Sequence, residues 1–173
     1  MGPHSPYLYS EQALQEIGEL CKERGVMMHI HVQETEDELK NSVAGNRTGR
    51  NCHKSNQKCS PITNLARIGA LDGACCAHCV HVLDSDLDLL RDHHASVVHC
   101  PHSNLKLGSG IAPVQKMIDR GVNVCLGTDG ASSNNNLDML SEMRTAAMIG
   151  PLAANNDARA VSALTVGLCW LIE

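Results

Sequence analysis

Four short apolar runs, each continuous rather than alternating, constrain this chain most. They are "VMMHIHV" (26–32), "ACCAHCV" (74–80), "ASVVHC" (95–100) and "VNVCLG" (122–127). A run without polar alternation suits a strand covered on both faces, which is the habit of parallel sheets. Helix-like stretches separate them. "SEQALQEIGELCKERG" (10–25) offers Ser10 as an N-cap and Gly25 as a C-terminal stop. Residues 84–94, 112–121 and 136–149 also read as helices. Strands alternating with helices predict an α/β fold with a parallel sheet.

Composition narrows the classes. The chain has 173 residues, a formal net charge of −5 and no Phe. One medium domain fits that length, with a core built from Leu, Ile, Val, Ala, Met and Cys. The charge gives no general electrostatic case for nucleic acid. No apolar run reaches the ~18 residues of a membrane helix, so a membrane partner is not expected. The start "MGPHSPYLYS" has no apolar signal core, and Pro6 breaks the myristoylation pattern. Nine cysteines, mostly inside apolar runs, read as reduced thiols of a cytoplasmic protein.

The widest gap between runs holds a polar stretch at about 45–61, read as a surface insertion. Its Cys52, His53 and Cys59 do not match a structural zinc site in spacing or ligand count. "CCAHC" carries Cys76 and Cys79 at CxxC spacing. In a regular strand, residues three apart face opposite ways, so a thiolate zinc site is not expected there.

Polar residues at the C-terminal ends of parallel strands are candidates for a site. The runs offer His31 and Glu34, then His78, then His99, and finally Asp129. His29 shares its strand face with His31, ~6.6 Å away. From the residues alone, the HxH pair is either core or one wall of a metal site. Asp129, between Gly127 and Gly130 after an apolar strand, needs a partner, a cap or a metal.

"GPHSPYLYS", "HVQET", "AHCVHV", "HCPHSNLKLGSGIAP" and "LGTDGASSNNNLDM" resemble, in order, the later motifs of the amidohydrolase superfamily. They look most like the branch of 5-methylthioadenosine/S-adenosylhomocysteine deaminases and related chlorohydrolases, over residues 2–149. The resemblance implies a partial (β/α)8 TIM barrel, with the four runs as strands five to eight. Residues 1–150 would be the C-terminal half of the barrel, and 151–173 a truncated or divergent tail. It implies His31 as a metal ligand and Asp129 as a metal ligand that also takes the water's proton. Glu34 would carry protons to the purine ring, His78 would orient the attacking water, and His4 would contact substrate. His29 has no match and is expected in the core. The implied cofactor is Zn2+, or another divalent metal such as Fe2+ or Mn2+, and the implied substrate a purine nucleoside.

The chain departs from the family pattern in two ways. The strand-one HxH, with two further ligands, is missing, since the chain begins near the end of strand four. The stretch at 45–61 is also longer than the family's turn. Three readings therefore stand: a zinc deaminase or related ring hydrolase; an inactive fragment or one needing a separate N-terminal half; and a Cys/His metal-binding module. A homo-oligomer is compatible with each.

Overall fold

The computed structural model describes residues 1–46, 58–162 and 165. Cys52 and His53 lie outside these residues. A 3-10 turn (Pro6–Leu8) leads into α1 (Glu11–Arg24), β1 (His29–Val32), α2 (Glu36–Ala44) and α3 (Pro61–Arg67). Then come β2 (Cys75–His78), α4 (Asp84–Asp92), β3 (Ser96–His99), α5 (Pro101–Leu107), α6 (Val114–Asp119), β4 (Asn123–Leu126) and α7 (Met139–Ala153). The four strands form one parallel sheet in the order β1-β2-β3-β4.

Local chemistry sets the boundaries. Ser10 accepts from the Ala13 amide, and Gly25 closes α1 at φ 60°. That conformation is left-handed, and a side chain there is disfavoured. Pro101 sits in the first turn of α5 and Gly108 closes it. The sequence pattern did not separate this short helix from the strand before it.

Strand alternation divides the sheet. Ile30, Val32, Cys76, Val97 and Val124 are buried, packed with Leu65, Leu87, Leu90 and Met117. The opposite face carries exposed His29 and Asn123 and partly exposed His31, Cys75, Ser96, Val98 and Cys125. His29 is therefore not a core residue, as the sequence had suggested. Its own strand buries Ile30 and turns His29 to the opposite face, where it is exposed among the described residues. The ring stays 6.4 Å from that of His31.

The outer edge of β1 is partly occupied by the chain's first residues. His29 donates its amide to Met1 O at 2.8 Å, and His31 donates to His4 O at 3.0 Å. At the other end, α7 runs past position 150, and Ala160 and Val161 are buried. The Val161 amide donates to Gln115 Oε1 at 2.9 Å, tying this segment to α6.

A buried polar network joins the first two strand ends. Gln33 Nε2 donates to His81 O (2.6 Å) and to Asp86 Oδ2 (3.0 Å), and its Oε1 accepts from the Ile62 amide (3.0 Å). Asp86 also accepts from the Leu83 amide and from Ser60 Oγ. With both residues fully buried, each lost partner would strand a polar group, at ~1–3 kcal/mol.

Candidate metal centre

Residues that end or follow the strands depart from strand geometry. Gln33 (φ 51°), His78 (φ 74°), Cys79 (φ 45°) and Asp129 (φ 59°) are all left-handed. Non-glycine residues held this way cost of order 1–3 kcal/mol each, and they concentrate at functional sites. Here the twist has a visible effect. Val32 pairs with His78 in the register, so parity alone would put His78 on the helix-covered face with Cys76. Instead its ring stacks on that of His31, centroids 5.3 Å apart.

The same break changes the two cysteines. Cys79 does not oppose Cys76 across the strand, as regular alternation predicts. Its Sγ turns back toward Cys76 O at 3.8 Å, and both residues are fully buried. The neighbouring Cys76 thiol, followed by burial, pushes the Cys79 pKa well up. A thiol so held stays protonated and makes a poor metal ligand.

His31, His78 and Asp129 bring ligand atoms within 4.8 Å of one another. His31 Nε2 lies 3.9 Å from Asp129 Oδ1. Each of the three is aimed by a neighbour. His31 Nδ1 is 2.7 Å from His4 O, which leaves Nε2 for the centre. His78 Nδ1 is 2.8 Å from Asn104 Oδ1, so the amide oxygen fixes the tautomer with the proton on Nδ1. Asp129 Oδ2 accepts from Ser103 Oγ (2.6 Å) and Ser133 Oγ (2.7 Å), leaving Oδ1 for the centre. Burial alone would raise the Asp129 pKa, but these hydroxyls and the Gly130 amide hold it below the usual carboxylate value.

Glu34 flanks the cluster. Its Oε2 lies 3.9 Å from His78 Nε2, and its Oε1 accepts from Ser109 Oγ at 3.3 Å. A cavity of about 290 Å³ opens beside it, walled by Pro6, Tyr7, Glu38, Pro61 and Asn64 among others. The exposed ring of His4 stacks on His31 with centroids 4.6 Å apart. All five residues expected from the sequence thus gather at one end of the sheet. The aiming residues Ser103, Asn104, Ser109 and Ser133 were not singled out. They lie inside the quoted motifs, but nothing in their spacing tells which serine faces which carboxylate.

The segment that carries Asp129 is tied to α7. Glu142, fully buried, accepts from Asn134 Nδ2 (2.6 Å), which also donates to Thr128 O (2.8 Å). Its Oε1 is 2.7 Å from His102 Nδ1, close enough for an ion pair though off-axis for a hydrogen bond. The backbone on either side of Asp129 is therefore anchored to a helix.

The imidazoles and the carboxylate suit a divalent ion of the zinc type. Bonds of ~2.0–2.2 Å would set the donor atoms ~3.4 Å apart, within reach of small side-chain rotations. With His78 beside His31 and Asp129, three donor atoms face one space, the number a catalytic zinc site takes; the sequence expects His31 and Asp129 as ligands and His78 at the water.

A parallel α/β sheet with a His/His/Asp cluster at its C-terminal end defines a metal-dependent hydrolase architecture. The model of the amidohydrolase family matches residues 1–166, and the chain belongs to that family. It is 46% identical over 165 residues to the 5-methylthioadenosine/S-adenosylhomocysteine deaminase of Thermoanaerobacter pseudethanolicus, covering 95% of this chain and 36% of that protein. It is 44% identical over 150 residues to the 5'-deoxyadenosine deaminase of Methanothrix thermoacetophila, covering 86% and 34%. Among solved structures, an adenosine deaminase from Xanthomonas campestris with bound zinc superposes with a TM-score of 0.84 at 35% identity, over 95% of this chain and 35% of that one. A triazine hydrolase variant shares the fold, with a TM-score of 0.79 at 22% identity. The chain spans about a third of the length of these relatives. The sheet is the corresponding part of a (β/α)8 barrel.

Proposed function

We propose that this chain carries the metal-binding and proton-transferring part of a zinc aminohydrolase that deaminates adenine-type nucleosides such as 5-methylthioadenosine or S-adenosylhomocysteine. The observation that carries this reading is the convergence of His31, His78 and Asp129, with Glu34 beside His78. The names of the relatives supply the substrate class.

In this reading His31, His78 and Asp129 hold the ion. When bound, it supplies Lewis-acid activation of the attacking water. The rest falls to side chains. Asp129 Oδ1 takes the proton that water loses as it adds to the ring carbon bearing the amine. His78, locked by Asn104 at Nδ1, spends Nε2 on the ion, and so sets the water's place only by fixing the ion on the side facing Glu34. Glu34 gives a proton to the adjacent ring nitrogen and regains one from the hydroxyl on that carbon as the carbonyl forms, while Asp129 passes the water's proton to the amine, which leaves as ammonia. Ser109 steadies one oxygen of Glu34 and leaves the other for this transfer. The cavity beside Glu34 gives the purine room.

The test is ammonia release from 5-methylthioadenosine by the zinc-loaded chain. Glu34→Gln should keep its zinc and lose ~10²–10⁴ in rate, the usual worth of a positioned acid/base group. Unchanged turnover in that variant would remove Glu34 from the mechanism.

A second reading is metal binding without turnover. The exposure of His29 among the described residues favours it. Bound zinc with no ammonia released, in the chain alone, would select it.

A further inference from the structure

We infer that Glu38 is a positioning residue for Glu34, holding the left-handed turn that swings the Glu34 carboxylate over the end of the sheet.

The turn needs a holder. β1 ends at Val32, Gln33 takes φ 51°, and Glu34 follows just before α2 begins. Gln33 is fixed through its side chain by Asp86 and His81. The Gln33 carbonyl also accepts from the His81 amide at 3.1 Å, but the amides of 33 and 34 need a partner of their own, because a left-handed residue relaxes unless its neighbours over-determine it. Glu38 does this from one turn into α2. Its Oε2 accepts from the Glu34 amide at 3.0 Å, and the Gln33 amide also reaches its carboxylate. In return Glu38 donates its own amide to Thr35 Oγ1 at 3.3 Å. The pattern is a capping box shifted one residue toward the strand, so the same bonds that start the helix also lock the turn.

The second oxygen of this carboxylate has a different character. Glu38 Oε1 is buried and has no hydrogen-bond partner among the described residues. Glu38 and Glu34 share a wall of the cavity. A purely structural cap has no reason to keep a buried carboxylate half-satisfied, since an unpaired polar atom costs ~1–3 kcal/mol. The arrangement makes sense if the position is set by where Glu34 has to point. Burial pushes the Glu38 pKa up to about 7, against the pull of the two backbone amides. A neutral acceptor at this position should therefore serve the turn as well as a charged one.

This inference rests on the deaminase reading for the role of Glu34, but its test does not depend on turnover alone. The first readout is hydrogen exchange at the Glu34 amide in the full chain. It should quicken by ~10-fold or more in Glu38→Ala and stay near wild type in Glu38→Gln, which keeps length and acceptor. The second is kinetic. Per bound zinc, Glu38→Ala should lower kcat by ~10- to 100-fold with KM little changed, and Glu38→Gln should restore most of it. If the wild-type chain shows no turnover, the exchange readout decides by itself. Unchanged exchange in Glu38→Ala would overturn the inference. So would an equal loss in both variants, or a fall in zinc content and Tm with kcat per bound zinc intact, which would mark a structural cap. Should Glu38→Ala fail to fold, Glu38→Asp, too short to reach the turn, takes its place with the same expectations.

Discussion

The ring of His31 stacks on that of His78, with centroids 5.3 Å apart and planes 24° from parallel. The two residues come from neighbouring strands but not from equivalent register positions, since His31 pairs with Ala77. The stack exists because the backbone turns left-handed at His78. Each ring is pinned at Nδ1, by His4 O and by Asn104 Oδ1, and each presents Nε2 to the space in front of Asp129.

Asn104 is the test of that pinning. Asn104→Ala removes the only hydrogen-bond partner recorded for His78 Nδ1 among the described residues. Zinc affinity should fall ~10- to 100-fold, as it does when outer partners of ligating histidines are removed. Competition with a chelating dye measures this. Asn104→Asp, which keeps an acceptor oxygen, should fall by less.

Ser103 and Ser133 do the same for Asp129. The double variant Ser103→Ala, Ser133→Ala deprives Oδ2 of both hydroxyls. Asp129 should then lose its fixed orientation, and zinc affinity should drop by a comparable ~10- to 100-fold. Each single variant should give a smaller loss. Equal affinity in the double variant would mean that the Asp129 backbone alone suffices.

His99 predicts how stability depends on pH. It is 1% exposed, its Nδ1 has no partner among the described residues, and burial followed by repulsion from His78 lowers its pKa to about 4. The unfolded chain, with an ordinary value of 6.5, binds the proton first as pH falls. Stability from this residue is therefore full above pH 6.5 and is lost between 6.5 and about 4, by roughly 3 kcal/mol. Glu38 acts oppositely, because its raised pKa lets the folded state hold a proton up to about pH 7. The contributions are separated by difference. Urea unfolding of His99→Leu and wild type should give a gap that moves in favour of the variant as pH drops through that window. A gap independent of pH would show that His99 titrates normally in the folded state.

Much of this was legible in the residues, and the reasons are physical. The four strands followed from unbroken apolar runs, because a parallel sheet leaves no polar alternation to confuse the reading. Helix α1 followed from Ser10 and Gly25, whose caps form as expected. His31, Glu34, His78 and Asp129 stood out because α/β folds place their sites at the C-terminal ends of parallel strands; their separate roles came from the resemblance to the family's motifs. Three things were not legible. His29 was expected in the core, but which sheet face is covered depends on packing, not on its own strand. The approach of Cys79 to Cys76 depends on left-handed backbone that no alternation rule contains. The serine donors to Asp129 depend on α5 starting directly after β3, where "HCPHSN" gives no strand-to-helix break except Pro101.

Zinc titration of the chelator-stripped chain, followed by calorimetry, tests the centre most directly. The expected isotherm saturates at about one zinc per chain in wild type, and the binding is lost in His31→Ala and in Asp129→Ala, with folding checked by circular dichroism. Zinc binding that survives both substitutions, or no saturable binding in the folded wild-type chain, would contradict the assignment of His31, His78 and Asp129 as a metal centre.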